Sequence, residues 1–228
     1  SFGVTVTDKR GNFLTDLTTD DFAVLEDGKP QTVKYFIRGQ QTEAAPELHL
    51  GVMFDTSGSM SADIATARTA AIKFLNALPE AKDITLVDFD SEVRLAKFGQ
   101  QDFPRLVERI RSRKPDGYTA MYDALGQYVT GADDVDGRKV LIVFSDGVDT
   151  SSWLEAESVL ETARRGDVVV YGVEVGARRA SFPRDLTEIT GGRLFSVEST
   201  GGLSAVFAKI LEEFRNRYLI SYSPEGVA

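Results

Sequence analysis

The sequence predicts an α/β protein with a doubly wound, mostly parallel sheet and a small β module formed by the chain ends. Three observations favour this fold. From Glu47 onwards, apolar strand-like segments alternate with amphipathic helix-like segments, which is typical of a parallel sheet covered by helices on both faces. Residues 2–37 contain only short strands and turns. A final strand-like segment, residues 218–223, follows the last predicted helix.

The amino-terminal segment is predicted to form short strands joined by turns. Val4 and Val6 alternate with threonines, and residues 9–12 supply a turn. Residues 18–21 can cap a single helical turn, and Asp27-Gly28 is typical of a two-residue hairpin turn. A segment of about 36 residues cannot easily bury a core of its own, so we expect it to fold against another part of the chain.

The longer segment that follows contains the elements of the sheet and its covering helices. The predicted strands are short apolar runs at residues 48–54, 83–89, 93–98, 139–144, 168–175 and 194–197. The predicted helices have apolar residues at intervals of three or four, at residues 64–78, 103–110, 120–129, 153–163, 183–189 and 203–214. The second and third strands are close enough in sequence to form a hairpin, so one edge of the sheet is expected to be antiparallel.

The two chain ends are expected to form one module. Residues 218–223 come after the α/β segment is complete, and an unpaired edge strand is an aggregation liability. We therefore expect this strand to pair with the amino-terminal strands. The predicted domains are residues 1–40 with 218–228, forming the β module, and residues 47–217, forming the α/β domain.

Composition excludes several kinds of protein and site. The 228 residues contain 26 Lys and Arg against 35 Asp and Glu, a net charge of −9, so a broad surface for nucleic acid is not expected. The chain has no cysteine and one histidine, which excludes disulfides, thiolate metal sites and His-rich zinc sites. No apolar run approaches the roughly 18 residues that span a bilayer, so we expect no membrane insertion. The first residues are already strand-like, so no signal peptide is expected in this sequence.

The segment with the strongest chemical signal follows the first α/β strand. Asp55, Ser57 and Ser59 are alternate residues, so an extended loop can point their three oxygen groups in one direction. A carboxylate and two hydroxyls are hard ligands that suit Mg²⁺, Mn²⁺ or Ca²⁺. Taken alone, this segment is explained as well by a helix cap, with Ser59 or Ser61 capping the next helix.

Two further strand ends add oxygen ligands at the same edge of the sheet. The strand at residues 139–144 runs into Ser145-Asp146-Gly147, and the loop at residues 115–119 ends in Thr119 before a helix. Asp55-x-Ser57-x-Ser59, then Thr119, then Asp146 resembles the metal-ion-dependent adhesion site of von Willebrand factor type A domains. The resemblance covers about residues 47–217, and the chain ends resemble a bacterial family related to von Willebrand factor A.

The resemblance implies a Rossmann-like fold and a non-enzymatic, metal-dependent protein-binding domain. In this family the two serines and the threonine contact a divalent cation directly or through water, and the aspartates act mostly through water. The cation, Mg²⁺ before Mn²⁺ or Ca²⁺, then receives an Asp or Glu carboxylate of a partner protein. The resemblance also implies a secreted, periplasmic or surface-exposed bacterial protein, and adhesion as its role.

Two other functions compete with this hypothesis. A metal-dependent phosphohydrolase would use Asp55 as a nucleophile, but Ser57 stands where such enzymes need a second carboxylate. The one histidine, His49, lies at the other end of the same predicted strand, about 20 Å away, which is too far for a base at Asp55. The other alternative is a structural module with a vestigial metal site.

The remaining charged clusters are interpreted as solvated surface. The largest is the basic cluster on and after one predicted helix, made of Arg105, Arg109, Arg111, Arg113 and Lys114. Asp149 is close enough to Asp146 in sequence to affect the site electrostatically, and we do not count it among the ligands.

Overall fold

A computed structural model describes residues 2–38, 47–78, 81–132, 134–175, 180–197 and 202–224. The chain divides into two compact units. The first comprises Ser1–Ala45 with Lys209–Ala228, and the second comprises Pro46–Ala208. The two parts of the smaller unit therefore come from the two ends of the chain.

The strands and helices follow the predicted order. The strands are β1 (Phe2–Val4), β2 (Val24–Glu26), β3 (Lys29–Gln31), β4 (Val33–Arg38), β5 (Leu48–Asp55), β6 (Ala81–Phe89), β7 (Val93–Gly99), β8 (Arg138–Ser145), β9 (Val168–Val175), β10 (Leu194–Val197) and β11 (Tyr218–Tyr222). The helices are α1 (Ile64–Asn76), α2 (Phe103–Ser112), α3 (Met121–Ala132), α4 (Ala156–Arg165), α5 (Ser181–Ile189) and α6 (Leu203–Asn216).

The larger unit is built on a mostly parallel sheet, as predicted. Its strand order is β10-β9-β8-β5-β6-β7, and only the hairpin pair β6 and β7 is antiparallel. The first strand of the unit, β5, lies between β8 and β6. The chain adds β6 and β7 on one side of β5 and then adds β8, β9 and β10 on its other side, so the strand order reverses at β5. Ligands of open α/β sheets bind outside the carboxyl ends of the strands at such a reversal.

Apolar side chains cover the sheet on both faces. On one face, Met53 and Val87 belong to a buried cluster with residues of α3, α4 and α5. The next residue along β5, Phe54, points to the other face, where its ring lies 5.4 Å from that of Phe144. Phe207 of α6 in turn lies 5.3 Å from Phe144. The sheet is therefore held on both sides, and its carboxyl edge is fixed by packing.

The smaller unit contains a three-stranded antiparallel sheet in the order β1-β11-β4. Phe2 pairs with Ile220, and Ile220 pairs with Phe36 on the other side. The last strand therefore pairs with amino-terminal strands, as the sequence predicted. Tyr218 stacks on Phe36 with ring centroids 5.4 Å apart, and its hydroxyl donates a hydrogen bond of 2.8 Å to the carbonyl of Leu14.

The smaller unit also contains a two-stranded hairpin. Its strands β2 and β3 are antiparallel, and Asp27 and Gly28 join them with φ angles of 49° and 75°. Positive φ at both central residues is the turn geometry that matches the twist of a hairpin, and the Asp-Gly pair tolerates it. The predicted turn is confirmed. The predicted domain limits, residues 1–40 with 218–228 and residues 47–217, stay a prediction.

One helix begins later than predicted. The sequence pattern placed Trp153 in a helix over residues 153–163, but α4 spans Ala156–Arg165. Both carboxylate oxygens of Asp123 accept the backbone N–H of Trp153, at 3.1 and 3.0 Å, and this holds the segment outside the helix. Among the residues that the structure describes, no helix is long and apolar enough to cross a membrane.

Candidate metal centre

The predicted site residues lie on loops at the carboxyl edge of the central sheet. Asp55 is the last residue of β5, and Ser145 is the last residue of the neighbouring parallel strand β8. Phe54 pairs with Phe144, so the two strands end at the same level. Asp146 follows Ser145 directly, which places both predicted aspartates at this edge.

Asp55 is fully buried at the base of the site. Its Oδ1 accepts a hydrogen bond of 2.9 Å from the backbone N–H of Ser57, and its Oδ2 accepts one of 2.6 Å from Ser145 Oγ. Burial raises the pKa of the Asp55 carboxyl above its ordinary value. The bonds from Ser145 and Ser57 oppose this rise, and the nearby charge of Asp146 adds to it. The two carboxylates are thus close enough to repel each other.

Ser57 and Ser59 bring their hydroxyls together above Asp55. Their Oγ atoms are 3.1 Å apart. Ser57 is extended, but Ser59 lies in a short 3-10 turn over Gly58–Ala62, so the loop is not extended throughout as the alternation suggested. The contact between the hydroxyls arises because the chain tightens directly after Ser57.

The helix-cap explanation of the two serines does not fit this geometry. Helix α1 begins at Ile64, and the residue at its N-cap position is Asp63. Ser61 Oγ donates a hydrogen bond of 2.6 Å to the carbonyl of Gly58, inside the 3-10 turn. Neither Ser59 nor Ser61, the two residues considered as caps, is therefore at the N-cap position of α1, and the Ser59 hydroxyl lies beside that of Ser57. The 3-10 turn Gly58–Ala62 also separates Ser57 from the amino terminus of α1.

The loop that ends in Thr119 runs alongside the first loop. The N–H of Asp116 donates to the carbonyl of Thr56 at 2.9 Å, and the N–H of Gly58 donates to the carbonyl of Gly117 at 3.1 Å. Gly117 has a φ of 73°, a conformation that favours glycine, so the sequence provides the residue this turn needs. These bonds bring the buried Thr119 to the same edge of the sheet as Asp55.

Thr119 is also tied to the loop that follows Asp146. Its carbonyl accepts hydrogen bonds from the N–H groups of Thr150 and Ser151, at 2.9 and 3.1 Å. Its own N–H donates to Thr150 Oγ1 at 2.9 Å. The loops that carry the five predicted residues, Asp55, Ser57, Ser59, Thr119 and Asp146, are thus linked by backbone hydrogen bonds.

The residues present fit a divalent cation of the hard class. The available groups are two mutually repelling carboxylates and the hydroxyls beside them, and a cation would relieve that repulsion. Within the described part of the chain, no three His, Asp or Glu side chains form a metal-binding group. A cation here would therefore depend on the hydroxyl oxygens.

Asp149 has a structural role that the sequence interpretation did not identify. Its Oδ2 accepts hydrogen bonds from the N–H of Tyr122 at 3.0 Å and from Ser152 Oγ at 2.6 Å. Ser152 Oγ in turn accepts the N–H of Asp123 at 3.0 Å. Asp149 and Ser152 therefore cap the amino terminus of α3 from a distant part of the chain, and no local sequence signal reports this.

A buried ion-pair cluster supports the start of the Thr119 loop. Asp88, near the end of β6, is almost fully buried, and its Oδ1 lies 2.9 Å from both Nε and Nη2 of Arg109. Arg113 Nε lies 3.0 Å from Oδ2 of the same carboxylate. The interpretation of the basic cluster as solvated surface is wrong for these two arginines. Their partner could not be found from sequence, because Asp88 lies on a different element about twenty residues earlier and no local pattern connects it with these arginines.

Comparisons with known proteins agree with this architecture. A family model described as the von Willebrand factor type A domain matches residues 49–209. No curated protein sequence matches the chain. Among solved structures, von Willebrand factor type A from Catenulispora acidiphila aligns with 17% identity and a TM-score of 0.64, covering 75% of this chain and 43% of that chain. This chain thus spans less than half the length of that protein.

Two further solved structures come from adhesive or structural proteins. The pilus adhesin SpaC from Lactobacillus rhamnosus GG aligns with 13% identity and a TM-score of 0.63, covering 92% of this chain and 38% of that chain. Proximal thread matrix protein 1 from the mussel byssus, whose MIDAS motif is occupied by zinc, aligns with 18% identity and a TM-score of 0.64, covering 84% of this chain and 50% of that chain. At these identities the likeness shows a shared fold.

Proposed function

Because the chain belongs to the von Willebrand factor type A domain family, we propose that it is a protein-binding domain that captures a partner's carboxylate through a divalent cation. The observation that carries the proposal is the contact between the Ser57 and Ser59 hydroxyls, 3.1 Å apart, beside the buried Asp55. In this proposal the two hydroxyls are neutral oxygen ligands of the cation, and the Asp55 carboxylate beside them supplies negative charge.

The residues of the site have different roles in this proposal. Ser57, Ser59 and Thr119 would hold the cation, and Asp55 and Asp146 would balance its charge. Neutral ligands leave the charge of a cation under-compensated, so the bound ion supplies an attraction for an outside anion. Mg²⁺ is the cation we propose for the site, and a mussel protein of the same fold has zinc in its MIDAS motif.

The chain itself restricts what the site can do. Ser145 and Ser57 hold Asp55 by hydrogen bonds, so its carboxylate is fixed in position rather than free to move. The loop bonds described above fix Thr119 in the same way. A site of fixed oxygen groups is suited to receive a partner without rearranging, which keeps the ordering cost of binding low.

A surface location follows from the same hypothesis. SpaC is a pilus adhesin, and the fold that it shares with this chain is compatible with a similar setting. We propose that the domain acts outside the cell or on its surface, where it binds another protein. Adhesion by this route needs no membrane-spanning helix in the domain itself.

The enzyme alternative has less support from the geometry. His49 Nδ1 lies 3.0 Å from both carboxylate oxygens of Asp83, at the start of β5, whereas Asp55 is the last residue of that strand. Ser57 occupies the position where a phosphohydrolase of the kind considered needs its second carboxylate. Among the contacts of the described residues, none favours phosphoryl transfer over carboxylate capture.

Calorimetric titration with Mg²⁺ tests the proposed centre. Ser59→Ala and Asp146→Ala should each weaken Mg²⁺ binding by about tenfold or more, because each removes an oxygen group of the site. Ser61→Ala is the matched control, since it removes a hydroxyl from the same 3-10 turn, and that hydroxyl donates to the carbonyl of Gly58. Wild-type affinity in both test variants would show that the site is assigned to the wrong residues.

A further inference from the structure

Trp153 is an apolar side chain almost entirely in water. Its exposed fraction is 95%, the largest among the exposed large apolar residues of the described chain. It is also the one tryptophan in the sequence. A tryptophan can bury about 150–250 Å² on contact with a partner, so leaving it exposed forgoes a large apolar contribution to folding.

The backbone that carries Trp153 is held in place. The Asp123 carboxylate accepts the N–H of Trp153 at 3.1 and 3.0 Å and the N–H of Leu154 at 2.9 Å. Leu154 packs against Gly126 of α3. The contact is so close that a Cβ atom built on Gly126 would lie only 2.5 Å from Leu154 Cδ1. The loop is therefore anchored through its backbone and through Leu154, while the Trp153 side chain stays in solvent.

The same loop is bonded to the candidate metal centre. Thr150 and Ser151 donate their N–H groups to the carbonyl of Thr119, as described above. Trp153 follows Thr150 by three residues, so their Cα atoms are separated by at most about 11 Å. On the other side of Thr119, Tyr118 is 69% exposed and is fixed by a bond from its N–H to Ser91 Oγ of 2.9 Å.

We propose that Trp153, together with Tyr118, is the apolar part of the surface that binds the partner protein. The partner would carry an aromatic or aliphatic side chain two to four residues from the carboxylate that reaches the metal centre. This inference rests on the proposed function, and it adds the chemistry of the partner segment to it.

The spacing and the choice of side chain follow from the geometry. An extended segment rises about 3.3 Å per residue, so the upper limit of about 11 Å between Thr150 and Trp153 places the partner's apolar residue within a few residues of its carboxylate. Rigid, exposed aromatic rings are the side chains from which interfaces gain most, because little side-chain freedom is lost on binding. An acidic side chain at this place in the partner would leave the Trp153 ring without an apolar contact.

A displayed library of random dodecapeptides tests the inference on the full chain. Peptides are selected on the wild-type protein in Mg²⁺ and are eluted with EDTA. We expect the eluted sequences to contain Asp or Glu with an aromatic or aliphatic residue two to four positions away. Synthetic versions that lack tryptophan should shift the fluorescence of Trp153 to shorter wavelength when they bind, because no other tryptophan contributes.

Three variants separate the inference from the proposed function. Trp153→Ser should weaken binding of the selected peptides by about tenfold or more, while Mg²⁺ binding measured by calorimetry is unchanged. Leu95→Ser is the matched control, because it removes a 42% exposed apolar side chain from β7, and it should bind the peptides normally. Ser59→Ala should lose both Mg²⁺ and peptide binding.

The failures of the two hypotheses look different. Peptides that need Mg²⁺ and bind Trp153→Ser as tightly as wild type would overturn the role of Trp153 and leave carboxylate capture intact. A selection that gives no chelator-sensitive peptide would contradict carboxylate capture, and the inference with it. Enrichment of acidic residues without the neighbouring apolar residue would overturn the proposed partner chemistry.

Discussion

Ser145 Oγ donates a hydrogen bond of 2.6 Å to Asp55 Oδ2, and this bond joins the last residues of two adjacent strands. Ser145 Oγ also accepts the N–H of Gly147 at 3.0 Å, which fixes the start of the loop carrying Asp146. One buried hydroxyl therefore positions both aspartates of the candidate centre. The candidate metal centre and the core of the sheet share this contact, so a change at Ser145 should affect both.

Ser145→Ala should lower the free energy of unfolding by about 1–3 kcal/mol, because it leaves a buried carboxylate oxygen without its donor. The measurement is urea unfolding in EDTA, so that cation binding does not contribute. Ser112→Ala provides the comparison, since that hydroxyl is exposed and donates to a carbonyl of its own helix. Equal unfolding free energies for the two variants would show that the bond to Asp55 contributes nothing.

Asp55→Asn should stabilise the metal-free protein near neutral pH. The pKa of Asp55 is raised in the folded state, first by burial, so the fold favours the protonated carboxyl. That stability is complete below the unfolded pKa of about 3.9 and is lost as pH rises through the folded value. The advantage of Asp55→Asn in EDTA should therefore appear above about pH 4 and grow towards neutral pH.

Thermal unfolding of both proteins across this pH range, in EDTA and in Mg²⁺, measures the effect. Mg²⁺ should raise the unfolding temperature of the wild type and leave Asp55→Asn nearly unchanged. The explanation by a buried charge fails if the variant is less stable than the wild type in EDTA at every pH.

Asp88→Asn should destabilise the fold by about 3 kcal/mol, since it leaves two arginines beside a neutral group in a buried setting. The value is at the low end for a broken buried pair, because Arg109 and Arg113 are about one-third exposed and keep some access to water. Asp185→Asn, an exposed position on α5, serves as the control in denaturant unfolding. If the free energies of unfolding of Asp88→Asn and Asp185→Asn differ by less than about 1 kcal/mol, the ion-pair cluster does not stabilise the fold measurably.

Phosphatase and peptidase screens with Mg²⁺ or Mn²⁺ should show no turnover above a metal-free control. The reason is that Asp55 has the Ser145 hydroxyl rather than a base beside it. His49, the one histidine, contacts Asp83 at the start of β5, whereas Asp55 is at its end. Activity that persists through repurification and disappears in Asp55→Asn would instead support the phosphohydrolase.

Removing residues 218–228 should make the segment 2–38 sensitive to trypsin while the α/β unit persists. The deletion takes away β11, which pairs with both β1 and β4, and the Tyr218 ring that packs on Phe36. Removal of residues 225–228 alone keeps β11 and should leave the segment resistant. Mass spectrometry of the fragments identifies the cleaved bonds. Equal resistance of the two truncated proteins would contradict the role of β11.

The sequence was most informative where an apolar pattern was continuous. The strand predicted at residues 139–144 is observed as Arg138–Ser145, and the one at residues 168–175 is observed with the same limits. The order of the loops brought Asp55 and Asp146 to one edge, because parallel neighbouring strands end together. Local pattern and tertiary structure agree in these cases, so the fold class could be predicted.

The sequence-based predictions failed where polar contacts between distant parts of the chain determine the structure. Trp153 and Leu154 continue the apolar spacing of the following helix, so the pattern extended the helix to include them. Instead, the backbone N–H of Trp153 donates to the carboxylate of Asp123, thirty positions earlier in the chain. This hydrogen bond holds the Trp153 backbone outside the helix. The pairing of Asp88 with Arg109 and Arg113 was missed for the same reason, since no local signal connects β6 with α2.

The pairing of Phe2 with Ile220 constrains the order in which the protein can assemble during synthesis. Within this sequence, the residues of β1 are synthesised before the α/β unit, and those of β11 are synthesised after it. β1 and β4 therefore cannot pair with β11 until the whole α/β unit has been synthesised. If that unit folds first, the long flexible loop between the ends is replaced by a compact body, which lowers the entropy lost on closing the module. A nascent chain that stops before Tyr218 lacks β11, so the facing edges of β1 and β4 are unpaired, and unpaired strand edges are prone to aggregation.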